Sequence, residues 1–373
     1  MNNFRRPPRI LFVANAVLGW KTYAKQLETA LGNRGDLTHL VLYRRPQRHL
    51  MQFARRHADR RIARLVRPFD PIKLFAGAMG HDIRKAVSDF QPDVVHFAAH
   101  WPASALSALS SPPPFTLALD ATRPGLTRDL PLPGWSEREC ANEADLFKAA
   151  THLFPMSHWV EDSLINDFDL ARHQMTVQPP SLSQKNWPKQ AMFENECIPN
   201  VLFVGNDLKR KGAYRLARWI AEPLRGRCHL HIVSTDTSTI SGDGITFHGR
   251  VPHARLIEDL LPRMDIFCLP TKLDMSPFVI AEAAAAGLPV VASAIGGIPD
   301  MVEHSISGFL VPPEDEHGFI SALSQLIDDK NMRRRMGSNS AKLAKARFSG
   351  EENFNNLIDK LIDISDRGVG YVS

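Results

Sequence analysis

The sequence predicts an α/β protein of two doubly wound, Rossmann-like domains, and three observations predict it. First, 373 residues exceed what one ordinary hydrophobic core supports. Second, short apolar runs of strand length alternate with helix-length segments, the pattern of parallel sheets built from strand–helix–strand units. Third, the alternation runs as two series of similar size, separated by a stretch rich in Pro, Asn and polar residues. We assign residues 1–180 to a first domain, 181–199 to a linker, 200–348 to a second domain and 349–373 to a C-terminal helix and tail.

In the first series RILFVAN (9–15) reads as a strand, 23–32 as a helix and LTHLVLY (37–43) as a second strand. The opening twenty residues imitate a signal peptide, with arginines, an apolar run and small residues at Ala14 and Ala16. Asn15 breaks that run, so we read a first buried strand. A helix over 72–90 leads to the strand 93–97, which ends in a cluster of His96, His100 and Trp101. The carboxyl ends of parallel strands are where such sheets place ligands. A further strand ends at Asp120, Ala121 and Thr122. A helix over 137–150 then leads to a strand ending in Ser157, Trp159 and Val160.

The second series reads VLFVG, a helix from Gly212, HLHIVS, ITFHG, a helix from His253, DIFCLP, a further helix, PVVAS and GFLVPP. Beyond it, residues 351–364 are amphipathic.

Composition is that of an ordinary globular chain, 44% apolar and 23% charged. Cys140, Cys197, Cys228 and Cys268 are scattered without disulfide or zinc spacing, which fits a reducing cytosol, and no metal cluster is visible. No stretch is long enough to span a bilayer. The formal charge of +5 is uneven: nine arginines and a single acid, Asp59, lie between Arg44 and Arg67 with apolar residues among them. That segment suits either an anionic membrane surface or a solvated helix face. No nucleic-acid motif accompanies it, so no nucleic-acid partner is expected.

Chemistry concentrates in LPTKLDMSPFVIAEAAAAGLPVVAS (269–293). A strand ending at Pro270 precedes a helix, with Ser276 placed to cap it and Pro277 suited to its first position. A helix N-terminus after a strand and loop is an anion site, flanked here by Asp274 in the loop and Glu282 within the helix. VGNDLKRKG (204–212) adds a strand end, Gly205, and a cluster of Lys209, Arg210 and Lys211 suited to a diphosphate. In 292–315, Gly296 and Gly297 allow a close backbone approach.

Together these three motifs resemble the retaining, family-four glycosyltransferases of the GT-B group (glycosyl transferases group 1). In that family a loop acid, seven intervening residues and a helical Glu precede an Ala-rich helix and a G-x-P-V-V-A strand. The resemblance is close from Val201 to about Phe348 and loose before that. It implies a GT-B fold, with the two domains facing across a cleft and the C-terminal helix crossing back onto the first. It implies a nucleoside-diphosphate-sugar donor on the second domain and a glycan, lipid or other small acceptor on the first, with neither cofactor nor metal. Asp274 would grip the sugar, Glu282 the ribose and Lys211 the diphosphate. Gly205, Asn206, Lys209 and Arg210, with Met275, Ser276, Pro277, Phe278 and Val279, would complete the donor site. A strand-end histidine would lie near the reacting sugar, and we favour His100 over His96.

The chain departs from the family at Asn206, where an arginine is usual and whose charge Lys209 or Arg210 would supply. It departs also at Met275–Pro277, which replace a Gly, aromatic, Gly run. A cytosolic enzyme is expected, whether free or peripheral on the membrane's inner face. The alternatives are an inactive nucleotide-sugar-binding protein and a membrane adaptor built on the arginine-rich segment.

Overall fold

The computed structural model describes residues 6–15, 19–44, 71–130, 134–183, 187–188, 198–236 and 240–369. Most of the arginine-rich segment, from Arg45 to Arg67, lies outside them.

The first sheet contains β1 (Arg9–Asn15), β2 (Thr38–Arg44), β3 (Val94–Phe97), β4 (Phe115–Leu119) and β5 (His152–Pro155). All pairings are parallel, in the order β2-β1-β3-β4-β5. Every residue of β3, β4 and β5 is buried, as expected of parallel strands covered on both faces. The covering helices are α1 (Gly19–Leu31), α2 (Pro71–Phe90), α3 (Arg123–Asp129), α4 (Glu137–Ala149) and α5 (His158–Phe168). Local chemistry sets their starts: Ser136 and Glu139 form a reciprocal capping box on α4, and the Ser157 hydroxyl accepts from Val160 N to cap α5.

The second sheet contains β6 (Asn200–Val204), β7 (His229–Val233), β8 (Ile245–Gly249), β9 (Ile266–Leu269), β10 (Val290–Ser293) and β11 (Gly308–Val311). Again all are parallel, in the order β11-β10-β9-β6-β7-β8. Around them lie α6 (Ala213–Ala221), α7 (Phe278–Ala285), α8 (Glu316–Asp328) and α9 (Lys330–Arg347). Strand order reverses at β1/β3 in the first sheet and at β6/β9 in the second, and ligand crevices open at such switch points.

The chain crosses between domains twice, side by side. Leu182 N donates to Phe348 O at 2.8 Å, and Gly350 N donates to Leu182 O at 2.8 Å. The last helix, α10 (Gly350–Val369), then returns to the first domain, where Phe354, Leu357, Ile358 and Leu361 share a core with Tyr23 and Leu27 of α1. Arg34 clamps it there through Asp359, 2.6 Å away.

Two elements differ from the sequence expectation. The first helix starts at Gly19 rather than at residue 23. After His253 there is one helical turn (His253–Arg255), a wider π turn (Leu256–Leu260) and a 3-10 turn (Leu261–Arg263) instead of a regular helix. Pro262 has no N–H to donate to the carbonyl four residues earlier, so a regular helix cannot continue through it. Among the described residues no helix is long and apolar enough to cross a membrane.

Candidate active site

The loop after β6 is shaped by two glycines. At Gly205 a side chain would collide with the Lys211 stem, 2.5 Å from an added Cβ, so the missing side chain makes room for the lysine to fold back over the strand end. Gly212 takes φ +85°, and its Cα lies so close to Pro270 O that an added Cβ would sit 2.1 Å away. This closeness ties the β6 loop to the β9 loop, and Lys272 N donates to Arg210 O at 2.9 Å across the same seam. Since β6 and β9 are neighbours at the switch point, Lys211 and Asp274 meet although 63 positions separate them.

Lys211 Nζ stands 3.0 Å from Asp274 Oδ2, with both side chains only 15% exposed. The ion pair holds the buried Asp274 Oδ2, and because a carboxylate offers about four acceptor sites it retains capacity for a hydroxyl. Arg210 lies 3.9 Å from the same oxygen, but Asp207 holds its Nε at 3.0 Å and Leu273 O takes its Nη1. Arg210 therefore braces the two loops. Asn206 is also committed: its Oδ1 accepts from Thr235 N at 2.8 Å and from Thr235 Oγ1 at 2.7 Å, joining β6 to the end of β7. Lys209 is exposed.

The glycine pair Gly296–Gly297 is occupied differently from expectation. An added Cβ at Gly296 (φ +56°) would lie 2.4 Å from Asp274 O, and Gly297 N donates to Met275 O at 2.7 Å. The close approach is to the chain's own Asp274–Met275 loop, which the pair holds in place.

Ser276 does not cap α7. The helix begins at Phe278 with Pro277 as its cap residue, one position later than expected, and no side chain caps it. The Ser276 hydroxyl is buried without a hydrogen-bond partner and abuts the Gly297 Cα. The first N–H groups of α7, at Phe278 and Val279, have no intrahelical acceptor, and the positive end of the helix dipole follows directly on the loop that carries Asp274.

Glu282, 6% exposed, accepts from or pairs with His253 Nε2 at 2.7 Å. The His253 imidazole is shifted upward, first by its hydrogen bond to Glu282 and against the opposing effect of burial. His253 also lines a cavity of about 190 Å³ with Gly205, Asn206, Thr235 and Arg250. Gly205 is thus common ground between the lysine and this cavity, and Glu282 reaches its edge through His253. His253 could not have been read from spacing, because it follows β8, which β7 separates from β6 in the sheet.

From the first domain, His100 (7% exposed) follows β3, its Nε2 3.2 Å from Glu143 Oε1 on α4. The other Glu143 oxygen accepts Arg123 N at 2.9 Å, so one buried carboxylate orients both the histidine and the start of α3. Asp120, at the end of β4, is pushed above the ordinary carboxylate range by burial, against the pull of His100, and the Asp274 carboxylate adds to the rise. Asp120 therefore feels charged groups of both domains.

His96 is placed otherwise. It is wholly buried between Tyr23 OH at 3.0 Å and Thr116 Oγ1 at 2.8 Å, and burial lowers its pKa to about 3. Further along the interface, Ser157 meets the Cα of Gly297, and His158 N donates to Asp300 Oδ2 at 2.5 Å. The carboxyl ends of the two sheets face one another.

Residues 198–329 match the family model for glycosyl transferases group 1. A glycogen synthase of Mycobacterium tuberculosis is 28% identical over 283 residues, which cover 68% of this chain and 66% of that protein. The matched region thus spans just under two thirds of that relative's length. Among solved structures, a sucrose-phosphate synthase from Thermosynechococcus elongatus superposes with a TM-score of 0.75 at 18% identity, covering 99% of this chain and 100% of the other. Anabaena HepE in complex with UDP-glucose gives 0.66 at 15% identity, covering 95% and 99%. The fold is that of the GT-B glycosyltransferases, and the second domain carries the group 1 match.

Proposed function

We propose that this chain is a retaining glycosyltransferase, moving a sugar from a nucleoside diphosphate to a hydroxyl of a glycan, lipid or small acceptor. The observation that carries the reading is the Lys211–Asp274 pair at the β6/β9 switch point, with Ser276 Oγ, a buried hydroxyl without a hydrogen-bond partner, two residues on from Asp274. A buried hydroxyl without a partner is rare, and this one belongs to the loop after β9, at the carboxyl ends of the strands where such folds take ligands. The relatives' names and the motif resemblance point to the same chemistry.

In the reaction the bond from the anomeric carbon to the diphosphate oxygen breaks, its electron pair leaving with the phosphate. An acceptor hydroxyl oxygen bonds to that carbon, and its proton passes to the departing diphosphate. Retention requires the acceptor on the same face as the leaving group, hence in the cleft between Asp120, His100 and the second domain. Lys211 and the α7 amides hold the developing negative charge without a metal, and Asp274 orients the sugar hydroxyls. Glu282, steadied by His253, takes the ribose hydroxyls at the mouth of the cavity. The free thiols Cys140, Cys228 and Cys268 suit a cytosolic enzyme.

The test is a thermal-shift screen of UDP, ADP, GDP and dTDP with their glucose conjugates. A ligand at a hundred times its dissociation constant stabilises by about 2.7 kcal/mol. The responding sugar nucleotide is then incubated with acceptors and free nucleoside diphosphate is measured. Absence of any nucleotide response refutes the reading, as does wild-type turnover by Lys211→Ala.

A further inference from the structure

A second cavity, of about 560 Å³, lies away from the cleft, between α1 and the returning α10, beside the paired chain crossings at Leu182 and Gly350. Ligand sites generally occupy roughly 300–1,000 Å³, so it has the size of one. Gln26 of α1 lines it. That residue is 2% exposed, and neither its amide nitrogen nor its amide oxygen has a hydrogen-bond partner. A buried amide left unsatisfied loses the hydrogen bonds it made to water, so such a residue at a cavity wall marks a place where a polar ligand completes the bonding.

The remaining lining sets the chemistry. Thr29, Asn33, Ser183 and Asn355 offer neutral donors and acceptors. Among the described residues of the wall the one cation, Arg34, is already bound by Asp36 at 2.7 Å and by Asp359 at 2.6 Å. With Glu351 also on the wall, a phosphate or carboxylate would meet more negative than free positive charge. Amide and hydroxyl groups that both donate and accept, without net positive charge, match the vicinal hydroxyls of a sugar.

We propose that this cavity binds a neutral saccharide, distinct from the donor in the cleft. Its walls belong to α1 of the first domain, to the crossing strand at Ser183 and to α10, so a bound sugar ties the first domain to the hinge. The inference does not depend on the donor reading. The sugar is either a free mono- or disaccharide or one end of a longer glycan held at a distance from the cleft, and the probes separate these.

The experiment titrates the full chain with glucose, maltose and maltoheptaose, with inorganic phosphate and spermidine as charged controls, following the melting temperature and heat of binding. A saturable upward shift is expected with a neutral sugar and not with the controls. Preference for glucose and maltose indicates a free sugar, and preference for maltoheptaose indicates a glycan chain. Gln26→Leu puts an apolar residue of similar size at the buried position and is expected to fold, yet to lose at least tenfold in sugar affinity. Asn355→Ala, at the partly exposed wall, is a second variant expected to weaken binding. Lys211→Ala is expected to bind these sugars as the wild type does. The proposal is overturned if no neutral sugar binds, if Gln26→Leu binds as well as wild type, or if Lys211→Ala abolishes binding, which would place the sugar in the cleft. Binding of phosphate or spermidine that depends on Gln26 overturns the neutral class.

Discussion

Substituting methionine for Lys211 keeps a stem that fits over Gly205 and removes only the charge facing Asp274. Breaking a fully buried ion pair costs about 3–5 kcal/mol, whereas an exposed pair is worth about 0–1. Both partners here are 15% exposed, and Arg210 at 3.9 Å remains to attract the orphaned carboxylate, so the expected loss is about 2 kcal/mol. The same change removes a charge-assisted bond to a diphosphate, worth about 1.5–3 kcal/mol, or about 10–150-fold in affinity. Asp274→Asn should act in the opposite sense on part of the ligand. It frees Lys211, so a bare nucleoside diphosphate binds as well as before or better, while the sugar conjugate loses its extra affinity. Urea unfolding of both single variants and the double variant gives the coupling energy, and calorimetric titration gives affinities for the diphosphate and its sugar conjugate. A coupling energy within about 0.3 kcal/mol of zero, together with wild-type diphosphate binding by Lys211→Met, would refute the assignment of this pair to the donor site.

Three further outcomes are expected. Gly212→Ala places a Cβ 2.1 Å from Pro270 O at φ +85°, so a loss of about 3 kcal/mol or more is expected by urea unfolding, with nucleotide binding disturbed because the β6 and β9 loops part. His253 carries a pKa raised above 6.5 by Glu282, so its pair contributes stability that is full below pH 6.5 and fades as pH rises through the raised value. Since the imidazole is 47% exposed the effect is small, and the difference between wild type and His253→Gln should be larger at pH 5.5 than at pH 9. His96 behaves inversely: with its pKa near 3 against 6.5 when unfolded, the unfolded chain binds the extra proton. Stability should therefore fall by up to about 1.4 kcal/mol per pH unit below 6.5, a slope that His96→Gln removes.

Both sheets were readable because parallel strands buried on two faces are near-continuous apolar runs, and RILFVAN, FTLAL and VVAS announce themselves. Of the residues singled out through the motif resemblance, Lys211 and Asp274 meet, whereas Glu282 pairs with His253. What could not be read is which loop meets which, since that is set by sheet order. With β6 between β9 and β7, the loop at 205–212 touches Pro270 on one side and Thr235 on the other, partners that no local pattern names. The same cause hid Glu143 behind His100 and His253 behind Glu282. Glycine showed the limit most plainly. The pair at 296–297 announces that some backbone must come close, and that part holds; the visitor turns out to be the Asp274–Met275 loop. A glycine pair that grips the acid-bearing loop immobilises Asp274 before any sugar arrives. Pre-organisation of this kind, with the loop held and the carboxylate paired to Lys211, is what the proposed donor site needs if binding is not to be spent on ordering the loop.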